Sequence, residues 1–301
     1  MTSTYYQCRS FSASTVGGCL INIYLENLHL QYPKITRIIN IGKSYEGRDM
    51  KVIHISKSHR NKIKKPAILI EGGIHAREWI APSQVLYIIS QLVDNRQDLI
   101  KHLDWYLLPV LNPDGYEYTH TNDRLWRKTR SNIRGKNLAE NCIGVDGNRN
   151  FNIGWIPLFY CTNLFSGLRP LSEVEVENFT KFAKTIQHQI KLYLSFHSYG
   201  NKILFPYGYT YRKPKNWNEL ISLARAVNNS MPENYKVGSS FTTLYYVPGG
   251  SVDWFYDVLN VSLTFCLELT PNSFIVNETD ILDVFIDKPE GIADDNKVGK
   301  A

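Results

Sequence analysis

Apolar residues recur at helical spacing over residues 19–30 and stop short of Pro33, which predicts a first helix. Residues 36–42 and 50–56 read as strands around a turn containing Gly47, a hairpin. The apolar run 66–71 predicts a buried strand, 79–93 a helix and 105–111 a further strand. Ser172-Glu173-Val174-Glu175 has the spacing of a capping box and opens a predicted helix to about Gln187. A central strand is expected over 190–196, helices over 217–228 and 251–259, and a strand over 261–267. Strands alternate with helices after one early hairpin. That order predicts an α/β fold with a mixed sheet covered by helices on both faces.

Composition narrows the class. A chain of 301 residues with 43% hydrophobic and 13% aromatic residues can bury a large core, and we read residues 1–301 as one domain. No apolar run reaches the roughly 18 residues of a membrane span. The net charge of +6 comes from 34 basic and 28 acidic residues that are interspersed. Basic clusters occur at Arg124-Leu125-Trp126-Arg127-Lys128-Thr129-Arg130 and Lys62-Ile63-Lys64-Lys65, and neither reads as a nucleic-acid site. Met1 to Gly18 is polar and lacks the apolar stretch of a secretory signal. Three glycosylation sequons begin at Asn228, Asn260 and Asn277, the last expected to be exposed.

The candidate chemistry lies at two strand ends. Ile68-Leu69-Ile70-Glu71-Gly72-Gly73-Ile74-His75-Ala76-Arg77-Glu78 runs from an apolar strand through two glycines to a histidine and a glutamate, placed where a helix would begin. Leu192-Tyr193-Leu194-Ser195-Phe196-His197 delivers a second histidine at the end of another apolar strand. Two histidines and a glutamate are a ligand set for catalytic zinc, which keeps a fourth position open to water. Strand ends of an α/β sheet are where such sites gather. A lone H-x-x-E is common by chance, so the neighbouring blocks carry more weight. They are Arg124 to Arg130, Gly144-Val145-Asp146-Gly147-Asn148-Arg149-Asn150-Phe151, Tyr245-Tyr246-Val247-Pro248-Gly249-Gly250-Ser251-Val252-Asp253-Trp254, and Thr264-Phe265-Cys266-Leu267-Glu268-Leu269.

In this order and spacing the blocks resemble the zinc carboxypeptidases of the pancreatic A/B type, from about residue 32 to 268. The resemblance implies a mainly eight-stranded twisted sheet between helices and one zinc ion per chain, held by His75, Glu78 and His197. It places Asp146 behind His75, Glu268 as general base and later acid, and Arg127 as the group that stabilises the oxyanion. Asn148 and Arg149 would grip the substrate's C-terminal carboxylate, with Tyr245 closing over the bound residue on a loop that Gly249-Gly250 leaves free to move. Arg77 and Tyr199 would belong to more distant subsites. Gly208, Ser240, Val252 and Cys266 would line the specificity pocket, where uncharged Val252 implies A-like preference for aromatic or branched aliphatic C-termini. Cys142 and Cys161 stand where the family carries a disulfide, leaving at least one of Cys8, Cys19 and Cys266 unpaired.

The family also implies a secreted monomer that acts on peptide or protein C-termini and meets proteinaceous carboxypeptidase inhibitors, with no nucleic-acid or membrane partner. Its signal and inhibitory propeptide are not read in this sequence. After Glu268 the chain departs from the family: Leu269-Thr270-Pro271-Asn272 replaces the usual Arg-Asp continuation, 281–286 is a short apolar run, and 287–301 reads as a polar, disordered tail. The segment between Cys142 and Cys161 is also shorter than usual. Two other readings stay open at this point. One is a related zinc amidase acting on N-acyl amino acids, and the other an inactive carboxypeptidase-like binding protein.

Overall fold

Alternation along the strands decides which side chains face which helices. In a strand, residues two apart share a face. The computed structural model describes residues 17–57, 65–132, 139–231 and 233–277. Its strands are β1 (Thr36–Lys43), β2 (Asp49–Ile55), β3 (Ala67–Glu71), β4 (Asp104–Leu108), β5 (Ile190–Ser198), β6 (Lys202–Phe205), β7 (Lys236–Ser239) and β8 (Leu263–Leu269). They form one eight-stranded sheet in the order β1-β2-β4-β3-β5-β8-β6-β7. The four middle strands, β4, β3, β5 and β8, run parallel. β1–β2, β2–β4 and β6–β8 pair antiparallel, so the sheet is mixed, as the sequence order predicts.

The principal helices are α1 (Gly17–Gln31), α2 (Ile80–Asp94), α3 (Leu99–His102), α4 (Pro113–Thr121), α5 (Val174–Ile186), α6 (Trp217–Ser230), α7 (Ser240–Thr243) and α8 (Ser251–Asp257). One core joins α1, α2 and α6 to Ile70, Phe196, Phe265 and Leu267 on one face of the sheet. The other joins α5 and α8 to Leu69, Tyr193, Leu204 and Cys266. By the same alternation, Glu71, Ser195, His197, Cys266 and Glu268 share this second face, near the carboxyl ends of the central strands.

Three expectations need correction. The strand read as 105–111 ends at Leu108, because Asn112 then caps α4 by accepting from Gly115 N with Pro113 at the first position. The capping box does not form. Glu173 takes the cap position without a side-chain cap bond, while Glu175 accepts from Tyr45 N, 2.9 Å away in another loop. The metal-ligand turn also precedes its helix, since α2 starts only at Ile80. The readings that concern Cys8, most of the Lys62–Lys65 cluster, the run 281–286 and the tail 287–301 lie outside the described residues. No helix among the described residues is long and apolar enough to cross a membrane.

Candidate active site

Gly73 turns the chain off β3 with a φ of +67°, a conformation that suits glycine. The turn that follows is braced from the side: Ala76 N donates to Arg127 O (3.1 Å), and Asn112 Nδ2 donates to Lys128 O (2.9 Å) and Ile74 O (3.3 Å). His75 and Glu78 are thereby brought against His197 on β5. These three residues are the one cluster among the described residues arranged to hold a metal ion, with ligand atoms within 4.8 Å of one another. All three are buried, at 3%, 2% and 1% exposure.

The atoms facing each other test whether a cation fits. His75 Nδ1 and His197 Nδ1 lie 3.0 Å apart. Glu78 Oε1 is 2.8 Å from the first and Oε2 is 3.0 Å from the second. His75 Nε2 lies 3.1 Å from Asp146 Oδ1 and His197 Nε2 2.9 Å from Ser195 Oγ, so each ring places its hydrogen on Nε2 and turns a bare Nδ1 inward. Two lone pairs and a carboxylate at such distances repel unless a cation lies among them. Ligands on a tetrahedral zinc, at roughly 2.0–2.1 Å from the ion, stand about 3.3 Å apart. The donor set therefore fits zinc.

Asp146 is the hub of the second layer. It is fully buried, and besides His75 it accepts from Asn148 N (3.0 Å) and from Arg127 Nε and Nη2 (3.1 and 2.9 Å). Burial would raise its pKa, but Arg127, His75 and Arg149 hold it well below the usual carboxylate range. Burial likewise works against the Arg127 charge, and Asp146 and Glu78 more than restore it. Arg127 Nη1 lies 3.6 Å from Glu78 Oε1, at the edge of the metal position. Glu268 sits directly across the β5–β8 ladder from His197. β8 is an interior strand, so Glu268 faces the cleft and not open solvent from a sheet edge. Burial pushes its carboxyl up to about 7, against the pull of His197.

A cleft of about 300 Å³ opens from the metal position. Arg149 is 2% exposed, yet its nearest carboxylate, Asp146, is 3.9 Å away. Its Nη2 donates to Tyr245 Oη (3.2 Å). Asn148 Oδ1 accepts from Ser251 N (2.8 Å), which fixes that side chain at the start of α8. The sequence singles out Asn148, Arg149 and Tyr245 along this wall, but not the polar Ser198, Ser251 and Asp253. Arg77, Tyr199, Gly208, Ser240, Val252 and Cys266 also line the cleft. Leu204, Leu244 and Phe274 also line it and lie outside every block read in the sequence, while Val247 lies within one but is given no part in the lining there. Phe274 packs under the Arg77 guanidinium at 4.2 Å and edge-on to Tyr199 at 4.7 Å, so the divergent stretch after Glu268 still supplies a wall. Phe274 carries no polar pattern that would have marked it.

The first glycine of the pair has a steric role of its own. Gly249 has a φ of +67° and is held by two backbone bonds, Gly249 N to Ile153 O and Phe151 N to Gly249 O. A Cβ there would lie 2.3 Å from the Arg149 carbonyl oxygen. The glycine permits this close approach, and the two backbone bonds tie the loop to residues 151–153. Cys142 and Cys161 are joined by a disulfide, and Cys266 is buried with a free thiol.

Comparison with known proteins agrees with this geometry. Residues 21–288 match the family described as zinc carboxypeptidase. The chain belongs to the zinc carboxypeptidase family. It is 38% identical over 260 residues to a zinc carboxypeptidase of Simulium vittatum, covering 82% of this chain and 83% of the relative. It is 38% identical over 286 residues to carboxypeptidase B of Astacus astacus, covering 90% and 92%. Among solved structures it is similar to bovine thrombin-activatable fibrinolysis inhibitor in complex with tick carboxypeptidase inhibitor. That match has a TM-score of 0.82 and 36% identity, covering 89% of this chain and 91% of the other. The enzyme is thus a zinc-dependent peptidase of the carboxypeptidase type. Its relatives carry both A and B names, so kinship does not choose its specificity.

Proposed function

We propose that the enzyme removes aromatic or branched aliphatic residues from peptide C-termini. Zinc held by His75, Glu78 and His197 would polarise the scissile carbonyl and make water a stronger nucleophile near neutral pH. The protein's own groups do the rest. Arg149 and Asn148 receive the terminal carboxylate, and a buried guanidinium with no carboxylate at hydrogen-bond distance is suited to that charge. Tyr245, already bonded to Arg149, covers the bound residue. Glu268 takes a proton from the attacking water and returns it to the leaving amine. Arg127 stays charged through Asp146 and donates to the carbonyl oxygen as negative charge grows there.

The pocket lining carries the specificity reading. Val252, Cys266, Leu204, Leu244 and Val247 present no charge to the terminal side chain. Asp253 is the acid that a basic preference would need. Its Oδ2 accepts from Gly208 N and Tyr209 N, at 2.8 and 2.9 Å, its Oδ1 is buried without a hydrogen-bond partner, and burial pushes its carboxyl up to about 7, toward the neutral form that offers no charge. A lysine entering this pocket would lose its water without a ready counter-ion. Matched peptides ending in Phe, Leu, Lys and Arg test the reading through kcat/KM. Phe and Leu should be released fastest, and Val252→Asp should shift preference toward Lys and Arg. Faster release of Lys from the unaltered enzyme would sink the A-like reading.

The Cys142–Cys161 disulfide supports an origin in an oxidising, extracellular compartment. The open cleft and the inhibitor complex of the similar bovine protein support binding of proteinaceous inhibitors.

A further inference from the structure

The two ligand histidines are held from behind in different ways. His75 Nε2 meets a carboxylate directly at Asp146. His197 Nε2 instead meets Ser195 Oγ at 2.9 Å, and Ser195 Oγ donates in turn to Glu71 Oε1. Tyr193 Oη donates to the same oxygen at 3.1 Å. The directions are mutually consistent. With Nδ1 turned to the metal, His197 donates through Nε2 to Ser195, and the hydroxyl passes its own hydrogen to Glu71. Strand register builds the chain of contacts: Glu71 on β3 pairs with Ser195 on β5, and residues 193, 195 and 197 share one face.

Glu71 is fully buried. Among the described residues no cation forms an ion pair with it, whereas Asp146 has Arg127. A buried carboxylate without a counter-ion is costly. The positive centre that answers Glu71 lies beyond Ser195 and His197, where the metal would be held. A carboxylate behind a ligating imidazole fixes the ring and strengthens its hold, and a hydroxyl between them can transmit both effects.

We propose that Glu71 is a positioning residue of the metal centre, acting through Ser195 to orient His197 and strengthen it as a ligand. The proposal rests on the reading of His75, Glu78 and His197 as the zinc ligands. The test compares the zinc-loaded enzyme with Glu71→Gln, Ser195→Ala, the double variant, Tyr193→Phe and His197→Ala. Zinc affinity is measured by chelator competition, and thermal midpoints are taken with and without zinc. Glu71→Gln and Ser195→Ala should each weaken zinc binding about 10- to 100-fold. The double variant should be no weaker than the poorer single one, because both break one relay. Tyr193→Phe, outside the relay, should change affinity much less. The midpoint gained on adding zinc should shrink in the relay variants, while the zinc-free midpoint does not fall in step.

A zinc affinity within about threefold of the unaltered enzyme in either relay variant overturns the proposal, as do losses that multiply in the double variant. If Glu71→Gln does not fold, Ser195→Ala decides alone. His197→Ala separates the two readings: full zinc retention there would mean that the ligand assignment has failed, not the relay.

Discussion

Glu268 is the side chain on which turnover is expected to depend most. Its carboxyl lies in the cleft opposite His197, and burial lifts it to about 7. A bound dication nearby favours the carboxylate, so the acid limb of kcat/KM should lie at or below pH 7, with activity rising as the proton leaves. Glu268→Gln should retain zinc and lose on the order of a hundredfold to ten-thousandfold in kcat, and its residual activity should lack that limb. Turnover within a few-fold of the unaltered enzyme would remove Glu268 from the role. A second titration concerns stability. Asp253 is raised from 3.8 to about 7 by burial, so folding favours its neutral form. The stability it contributes is present below pH 4 and is lost as pH rises through about 7, by a few kcal/mol at most. Asp253→Asn should therefore gain on the unaltered protein in thermal midpoint between pH 5 and pH 8. A constant difference across that range would mean the carboxyl is not titrating as described. Most of these residues are legible in the sequence because each belongs to a short motif. Leu204 and Phe274 are not, since a pocket wall is assembled from distant segments and an apolar wall residue looks like any core residue.

At the scale of elements, the long periodic segments are the readable ones. β3, α2, β5, α5 and α6 follow the hydrophobic pattern to within a few residues. The four-residue strands β6 and β7 do not show, being too short for a period to register; tertiary pairing fixes them, β6 against β8 and β7 against β6. α4 is hidden because Pro113-Asp114-Gly115 reads as a turn until Asn112 is seen capping it. The loop from Tyr245 to Gly250 can be tested by one substitution. An alanine at position 249 would meet the Arg149 carbonyl and strain the left-handed backbone, a cost of roughly 1–2 kcal/mol for the conformation alone. Gly249→Ala should raise KM at least about tenfold with zinc content unchanged, because Arg149 and Tyr245 would shift against the substrate carboxylate. An unchanged KM would show that the loop tolerates displacement and that its pinned geometry does not serve binding.

For the whole molecule, the sheet does the assembling. Parallel central strands end on one side, and alternation puts His197, Glu268 and Cys266 on the face that α5 and α8 enclose. The loops that carry Arg127, Asp146 and Arg149 close over those ends. The α/β class and mixed sheet follow from element order alone, while the eight-strand count came from family resemblance. The placement of Val252, Leu204 and Leu244 in one cleft with Asn148 and Arg149 needs the assembled fold. The central claim is that this assembly hydrolyses a bond only beside a free C-terminal carboxylate, with zinc in place. One peptide ending in Phe, offered with a free carboxylate and as its C-terminal amide, tests it most directly, with products followed by mass in zinc-loaded, chelated and zinc-restored enzyme. The free peptide should lose its terminal Phe with zinc, stop losing it under chelation and resume on restoration, while the amide is cleaved at least about a hundredfold more slowly. Equal cleavage of the amide, cuts within the peptide, or activity untouched by chelation would contradict the account.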